Sequence, residues 1–123
     1  FMGVGAVKGV EIGAGFAAAR ATGSTNNDPI VPAGEDAPSN NAGGILGGIS
    51  DGRTVVVRAA VKPIPSIATA QRTVDTNGEP ATITVGGRHD VAAIPRIVPV
   101  LEAMASLVVA DFVLLQRRMH SAK

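Results

Sequence analysis

The sequence predicts an α+β fold in which antiparallel hairpins pack on a long helix buried between layers. Two stretches of strand-forming residues are each interrupted by a pair, Asp51-Gly52 and Asn77-Gly78, that tolerates the positive φ angles of a hairpin turn. Between 99 and 119 the apolar residues go all the way round a helix, which is typical of a helix covered on every side. The 123 residues include 3 Phe and no Trp or Tyr, so the core must come from Ala, Val, Ile and Leu.

The composition excludes several classes of protein and site. The net charge is +1, from 11 basic and 10 acidic residues, which indicates neither nucleic acid nor an anionic membrane as a partner. There is no cysteine, so disulfides and Cys-ligated zinc are excluded. The two histidines, His89 and His120, are too few to favour a metal site, and we expect His120 to be solvated. The first residues lack the features of a signal peptide and look like the middle of a longer protein, so a fragment is expected.

The N-terminal third is predicted to hold a strand, a short helical stretch and a long polar connection. A strand containing Val7, Val10 and Ile12 ends at Gly13, and one or two helical turns follow over 15–20. Residues 13–18, GAGFAA, match the dinucleotide-binding fingerprint. A crossover helix and a second parallel strand should follow such a fingerprint, but residues 22–41 are rich in Gly, Ser, Asn, Asp and Pro. A dinucleotide oxidoreductase is therefore the least favoured interpretation, and we expect 22–38 to be mobile or ordered by a ligand.

The rest of the chain is predicted to form two hairpins and the long helix. Strands over 45–50 and 53–61 join through Asp51-Gly52, and strands over 71–76 and 81–85 join through Asn77-Gly78. The helix should begin near Pro99, because proline suits a first turn and disfavours the α conformation of the residue before it, and should end near Met119. A membrane span is the alternative for this helix. Two carboxylates inside the run, on Glu102 and Asp111, argue against it, since each is costly in lipid.

A candidate binding surface lies between Ser39 and Ser66. Main-chain amides at two glycine pairs, 43–44 and 47–48, can converge on a ligand, or the glycines can permit close packing between layers; the sequence leaves both open. Lys62 follows the predicted strand, and Pro63 constrains its conformation. With a hydroxyl at Ser66, this motif favours a phosphate.

Arg88, His89 and Asp90 place an anion-binding group and a proton acceptor on one loop. His89 is either a base or a loop residue bonded to the backbone, and Asp90 either accepts a proton or pairs with Arg88. Asn40 and Asn41 are most simply explained as turn formers.

Five segments carry a resemblance to a known family. In order they are KGVEIGAGF (8–16), SNNAGGILGGISDG (39–52), VRAAVKPIPSI (57–67), GRHD (87–90) and PRIVPVLEAM (95–104). The chain resembles the C-terminal part of chorismate synthases. It departs from the family pattern at Val91-Ala92, where Pro-Cys is usual, and at Gly5, where asparagine is common.

The resemblance implies that residues 1–123 are the C-terminal portion of a chorismate synthase domain in which sheets pack on central helices. The family is a cytoplasmic homotetramer and a carbon–oxygen lyase of aromatic amino acid biosynthesis. It converts 5-enolpyruvylshikimate 3-phosphate into chorismate and phosphate with reduced FMN. The sequence leaves open whether NADPH or an external reductant reduces the flavin. The family's N-terminal half carries further histidines and substrate-binding arginines that this chain lacks, so we expect the isolated chain to be inactive.

The resemblance also implies site residues. Arg88 would bind both FMN and substrate, and Asp90 would be the catalytic proton acceptor near flavin N5. The FMN contacts would be Gly5, Ala6, Gly47, Lys62, Pro63, Ile64, Pro65, Ser66 and Arg88. The alternative is a flavin- or phosphate-binding module without catalytic activity.

Overall fold

The computed structural model describes residues 1–32 and 34–120 and divides the chain into two compact units, Phe1–Ala60 and Val61–Lys123. The first unit contains β1 (Val7–Ile12), a 3₁₀ helix (Gly15–Arg20), α1 (Gly23–Asn26), β2 (Ile45–Leu46), β3 (Ile49–Ser50) and most of β4 (Val57–Val61). The second contains β5 (Gln71–Val74), β6 (Pro80–Ile83) and α2 (Ile94–His120). Short antiparallel strand pairs and a C-terminal helix are compatible with the predicted α+β class.

The strand predicted to contain Val7, Val10 and Ile12 is confirmed as β1, which ends one residue before the predicted Gly13. β1 forms a two-stranded sheet with β4. A Cβ built on Gly9 would lie 3.8 Å from the Cβ of Ala60, and beyond the strand the Gly13 N–H donates to Val56 O over 2.9 Å. The two strands therefore run antiparallel. The prediction that residues 53–61 pair with 45–50 is wrong.

The hairpin of the glycine-rich segment turns at a different place from the one predicted. β2 pairs with β3 through Ile45 with Ser50 and Leu46 with Ile49, so the turn is Gly47-Gly48. Their φ angles of 56° and 81° suit the tight turns of short hairpins. The predicted turn residue Asp51 accepts hydrogen bonds from Arg53 N at 3.0 Å and Arg53 Nε at 2.9 Å. These local bonds bend the chain after β3 and leave residues 53–56 outside any strand.

The connection over 22–38 begins with more structure than predicted. The helical turns expected over 15–20 are present as the 3₁₀ helix. At the start of α1, the Thr22 N–H donates to Thr25 Oγ1 over 3.0 Å, which caps the helix. Two residues after α1, the Asp28 carboxylate accepts hydrogen bonds from Ser39, Asn41 and Ala42.

The second hairpin is confirmed. β5 and β6 pair antiparallel from Gln71 with Ile83 to Val74 with Pro80, and Gly78 in the connecting loop has a φ of 86°. The Asp75 carboxylate closes this loop by accepting from Asn77 N at 2.8 Å and Glu79 N at 2.9 Å. β5 ends before the predicted residue 76 because Asp75 already belongs to the loop, and β6 begins one residue before the predicted 81 and ends at Ile83 instead of 85.

Helix α2 ends one residue from the predicted Met119, but the predicted start at Pro99 is wrong. It begins at Ile94, and Ala93 O accepts from Arg96 N at 3.0 Å and Ile97 N at 3.1 Å. Pro95 lies in the first turn, where its missing N–H breaks no bond within the helix. Pro95 thus has the role that was assigned to Pro99, and Pro99 lies inside the helix.

Little of the described chain is buried. Val7, with 7% exposure, and Ile97, with 8%, are its buried hydrophobic side chains. The helix predicted to be buried between layers is exposed in this chain, with Leu107 and Phe112 each at 66%. In the part of the chain that the structure describes, α2 is the one helix whose length and mean hydropathy of 2.1 would suit a membrane span. The central helices of soluble proteins share these properties.

Candidate functional site

The first glycine pair of the candidate surface is packed inside the first unit. Gly43 and Gly44 are buried, and a Cβ added to Gly44 would lie 2.6 Å from Thr54 O, while one added to Gly43 would overlap Gly13. Their amides are bonded within the chain, Gly43 N to Asn40 O at 3.1 Å and Gly44 N to Asn40 Oδ1 at 2.9 Å. Of the two interpretations of the glycines, close packing therefore holds for this pair.

The second glycine pair is open. Gly47 and Gly48 are exposed at the tip of the β2–β3 hairpin, and a Cβ added to either would meet no atom within 4 Å. The hairpin turn requires their positive φ angles, whereas no packing contact requires a glycine at either position. A ligand can approach the main chain closely here.

The sequence analysis missed the carboxylate of Asp28, which is bonded to the start of the glycine-rich segment. The Asp28 carboxylate accepts from Ser39 Oγ at 2.7 Å and from the amides of Asn41 and Ala42, each at 2.8 Å. Its side chain is 4% exposed, and Arg53 Nη2 lies 4.0 Å away. The hydrogen bonds from Ala42, Asn41 and Ser39 lower the pKa of Asp28 to about 2. We call Asp28, Ser39, Asn41 and Ala42 the Asp28 clasp.

The two asparagines act within the fold, as predicted for turn formers. Asn40 Nδ2 donates to Thr54 O at 2.9 Å while its Oδ1 accepts from Gly44 N. Asn41 Nδ2 donates to Asn26 O at 3.3 Å. Both side chains hold the segment 39–44 to neighbouring backbone.

The geometry of residues 13–18 does not suit a dinucleotide. The Phe16 N–H donates to the Glu11 carboxylate over 2.9 Å, so the chain's own acid occupies the place where a pyrophosphate would bind. A Cβ at Gly15 would lie 2.6 Å from that of Glu11, and Gly13 packs against Asn41. The following helix is a 3₁₀ helix of 6 residues, not a crossover α-helix.

At the N-terminus, the predicted contacts Gly5 and Ala6 directly precede β1. Ala6 has a φ of 68° and is the one non-glycine residue with a positive φ in the described part of the chain. The left-handed conformation costs about 1 kcal/mol for a residue with a Cβ. Strained backbone of this kind is found preferentially at binding sites.

In the second unit, the predicted phosphate-binding motif directly follows the last residue of β4. Lys62, Pro63 and Pro65 are exposed, and Ile64 and Ser66 are half-buried. Arg88 is also exposed. The ion pairs found among residues 1–32 and 34–120 involve neither Lys62 nor Arg88. Both cations are thus accessible to an anionic ligand.

The loop before α2 holds the predicted proton acceptor. Asp90 Oδ2 pairs with Arg96 Nη1 over 2.8 Å, so its ionic partner is Arg96 and not Arg88. Arg96 lies in the first turn of α2, and the sequence analysis did not single it out. His89 Nε2 lies 3.3 Å from Val85 O, in agreement with a loop histidine bonded to the backbone.

Comparison with known sequences identifies the family. The family profile described as Chorismate synthase matches residues 1–114. This chain belongs to the chorismate synthase family. A chorismate synthase of Nitratidesulfovibrio vulgaris (strain Miyazaki F) is 69% identical over 118 residues, which cover 96% of this chain and 33% of the relative. A chorismate synthase of Oleidesulfovibrio alaskensis is 66% identical over 122 residues, 99% of this chain and 34% of the relative.

The chain thus spans about a third of the length of the chorismate synthases it matches. Its two departures from the family pattern lie in exposed positions. A Cβ at Gly5 would meet no atom within 4 Å, so the family's asparagine would fit there. Val91 is 101% exposed in the loop after Asp90, so the change from the usual Pro-Cys disturbs no packing in this chain.

Proposed function

We propose that this chain is the C-terminal portion of a chorismate synthase that eliminates phosphate from 5-enolpyruvylshikimate 3-phosphate to give chorismate. One observation carries the proposal: a chorismate synthase profile matches 114 of the 123 residues, and a relative of that name is 69% identical over 118 residues. The rest of the protein would supply the other substrate-binding groups.

The donor groups of the chain fit FMN. A flavin phosphate needs cations and hydrogen-bond donors, which exposed Lys62, Ser66 and exposed Arg88 offer. A flavin ring needs backbone that can be approached closely, as at Gly47, where a Cβ would meet nothing within 4 Å. Gly5, Ala6 and residues 63–65 would complete the contacts.

The reaction breaks a C–O bond and a C–H bond of the substrate and forms a new ring double bond, without net oxidation or reduction. When bound, reduced FMN would lend the substrate an electron and take it back once the phosphate has left, so that there is no net redox change. Arg88 would hold the substrate and stabilise negative charge on the departing phosphate. The carboxylate of Asp90 would take the proton, with Arg96 Nη1 holding one of its oxygens at 2.8 Å. The proposal includes two alternative reductants of FMN, NADPH and an external reductant.

We further infer that α2 is a central helix of the complete fold, covered by layers that the other two thirds of the protein supply. Its apolar residues go all the way round, and this chain leaves them exposed. From the family, we also propose that the complete protein is a cytoplasmic homotetramer.

A chimera tests the function. In the Nitratidesulfovibrio vulgaris chorismate synthase, the third that matches this chain is replaced by this chain's sequence. Assayed anaerobically with reduced FMN, the chimera should release phosphate and chorismate in equal amounts. Asp90→Asn should lower kcat by about a hundredfold or more with FMN affinity unchanged, since it removes the proton acceptor.

Lys62→Ala in the chimera should weaken FMN binding because it removes a cation from the phosphate. The matched control is Lys8→Ala, which removes an exposed lysine of β1 that is not a proposed contact. A folded chimera that binds FMN but forms no chorismate would favour the flavin-binding module without catalysis. Equal FMN affinity for the Lys62 and Lys8 variants would show that the site residues are misassigned.

A further inference from the structure

The Asp28 clasp ties together two parts of the first unit that are distant in sequence. One carboxylate accepts from Ser39 Oγ and from two consecutive main-chain amides, all within 2.8 Å, and its side chain is 4% exposed. No helix or strand covers 39–44, so these bonds fix the course of the backbone there. Loss of the acceptor would leave two amide donors without partners.

A continuous set of bonds leads from the clasp to the β2–β3 hairpin. Directly after Ala42, Gly43 and Gly44 pack against Gly13 and Thr54. Gly44 O then accepts from Asp51 N over 3.1 Å, which closes the base of the hairpin. Arg53, two residues after Asp51, connects the end of the hairpin back to the clasp, because its Nη1 donates to Ser39 O over 3.2 Å.

The position of the hairpin tip depends on this base. β2 and β3 have 2 residues each, and a two-stranded hairpin has little stability of its own in water. A Cβ added to Gly47, at the tip, would meet no atom within 4 Å, so no neighbouring segment supports the tip there. The base is therefore the structure in this unit that can fix where Gly47 lies.

We propose that Asp28 is a positioning residue for the cofactor: through the Asp28 clasp it holds the β2–β3 hairpin so that the Gly47 backbone meets FMN. The proposal rests on the proposed function, in which Gly47 is an FMN contact.

Asp28→Asn in the chimera tests the proposal. Asparagine keeps the shape of aspartate, but an NH₂ group replaces one acceptor oxygen and faces a main-chain N–H. The dissociation constant of FMN, measured with 5-enolpyruvylshikimate 3-phosphate present, should rise by about tenfold to a hundredfold, because a displaced contact residue loses its productive geometry. The absorption difference spectrum of the bound flavin should change as well.

Asp75→Asn is the matched control. Asp75 accepts from Asn77 N and Glu79 N in the β5–β6 loop, as Asp28 accepts from two amides, but no FMN contact is proposed in that hairpin. Both variants should lower Tm, and only Asp28→Asn should change FMN affinity and the difference spectrum. Equal FMN binding by the two variants would show that Asp28 only stabilises the fold and would overturn the proposal.

Ser39→Ala keeps the proposal testable if Asp28→Asn does not fold. It removes one of the three short hydrogen bonds to Asp28, so its FMN affinity should fall less than that of Asp28→Asn. Unchanged affinity in a folded Ser39→Ala chimera, with Asp28→Asn unfolded, would count against positioning. Failure of the proposed function is seen separately, because the chimera without substitutions would then form no chorismate.

Discussion

At the scale of single residues, the glycines between 43 and 48 divide by their surroundings. Gly43 and Gly44 are buried against other backbone, whereas Gly47 and Gly48 form an exposed turn. All four have positive φ, so conformation does not distinguish them. Their surroundings do, because a new Cβ meets backbone at the first pair and solvent at the second.

Alanine substitutions should separate these two roles in the chimera. Gly43→Ala should unfold the first unit, because its Cβ would overlap the backbone of Gly13, which cannot move aside. Gly47→Ala should cost about 1 kcal/mol through its left-handed φ, keep the fold and weaken FMN binding. Circular dichroism and FMN titration measure the two effects. A folded Gly43→Ala variant with the Tm of the parent would contradict the packing argument.

The sequence predicts residues of the candidate site only where they lie in recognisable motifs. Lys62, Arg88 and Asp90 are predicted from their segments, and the structure shows both cations exposed and outside any described ion pair. Asp28 and Arg96 were missed because their roles depend on distant or folded partners. Nothing local shows that the Asp28 carboxylate meets amides 13 and 14 residues further along.

At the scale of elements, turn chemistry predicted the hairpins but placed one of them wrongly. Asn77-Gly78 lies in the β5–β6 loop as expected. In the first unit, the turn was predicted at Asp51-Gly52, but Gly47-Gly48 forms it. Instead, the Asp51 carboxylate accepts from the backbone N–H and from the side chain of Arg53, and strand propensity does not describe such local side-chain bonds.

Two prolines in α2 give a test at this scale. Pro99 lies inside the helix, where it removes one main-chain hydrogen bond and crowds the carbonyl of Pro95. Pro99→Ala should stabilise the helix by up to about 3 kcal/mol and increase the ellipticity of the isolated chain at 222 nm. Pro95→Ala is the control, because a first-turn residue needs no such bond, and it should change little. Equally small effects of the two substitutions would mean that α2 begins later than Ile94, with Pro99 in its first turn.

At the scale of the whole molecule, the described residues bury too little apolar surface to account for their composition. The chain is 46% hydrophobic, yet Val7 and Ile97 are the hydrophobic side chains buried in its described part. The sequence predicted that α2 is covered, and in this chain it is not. The apolar pattern of a helix predicts that partners exist, but it does not say which part of a protein supplies them.

Lysine substitutions on α2 test the proposed central position of this helix. Leu107 and Phe112, each 66% exposed here, lie on different sides of α2. In the isolated chain, Leu107→Lys and Phe112→Lys should leave the helical signal unchanged, because both side chains already face solvent. In the chimera, each should cost several kcal/mol, because an unpaired ammonium would be buried between layers.

The measurements are Tm, soluble yield and chorismate formation, with Gln116→Lys as the control, because it adds the same charge at an exposed polar position beside Arg117 and Arg118 near the end of the helix. If both lysine variants of the chimera kept the Tm of the parent, α2 would be exposed in the complete protein. A parent chimera that sediments with lipid vesicles, and loses that association on Leu107→Lys, would instead favour a membrane span.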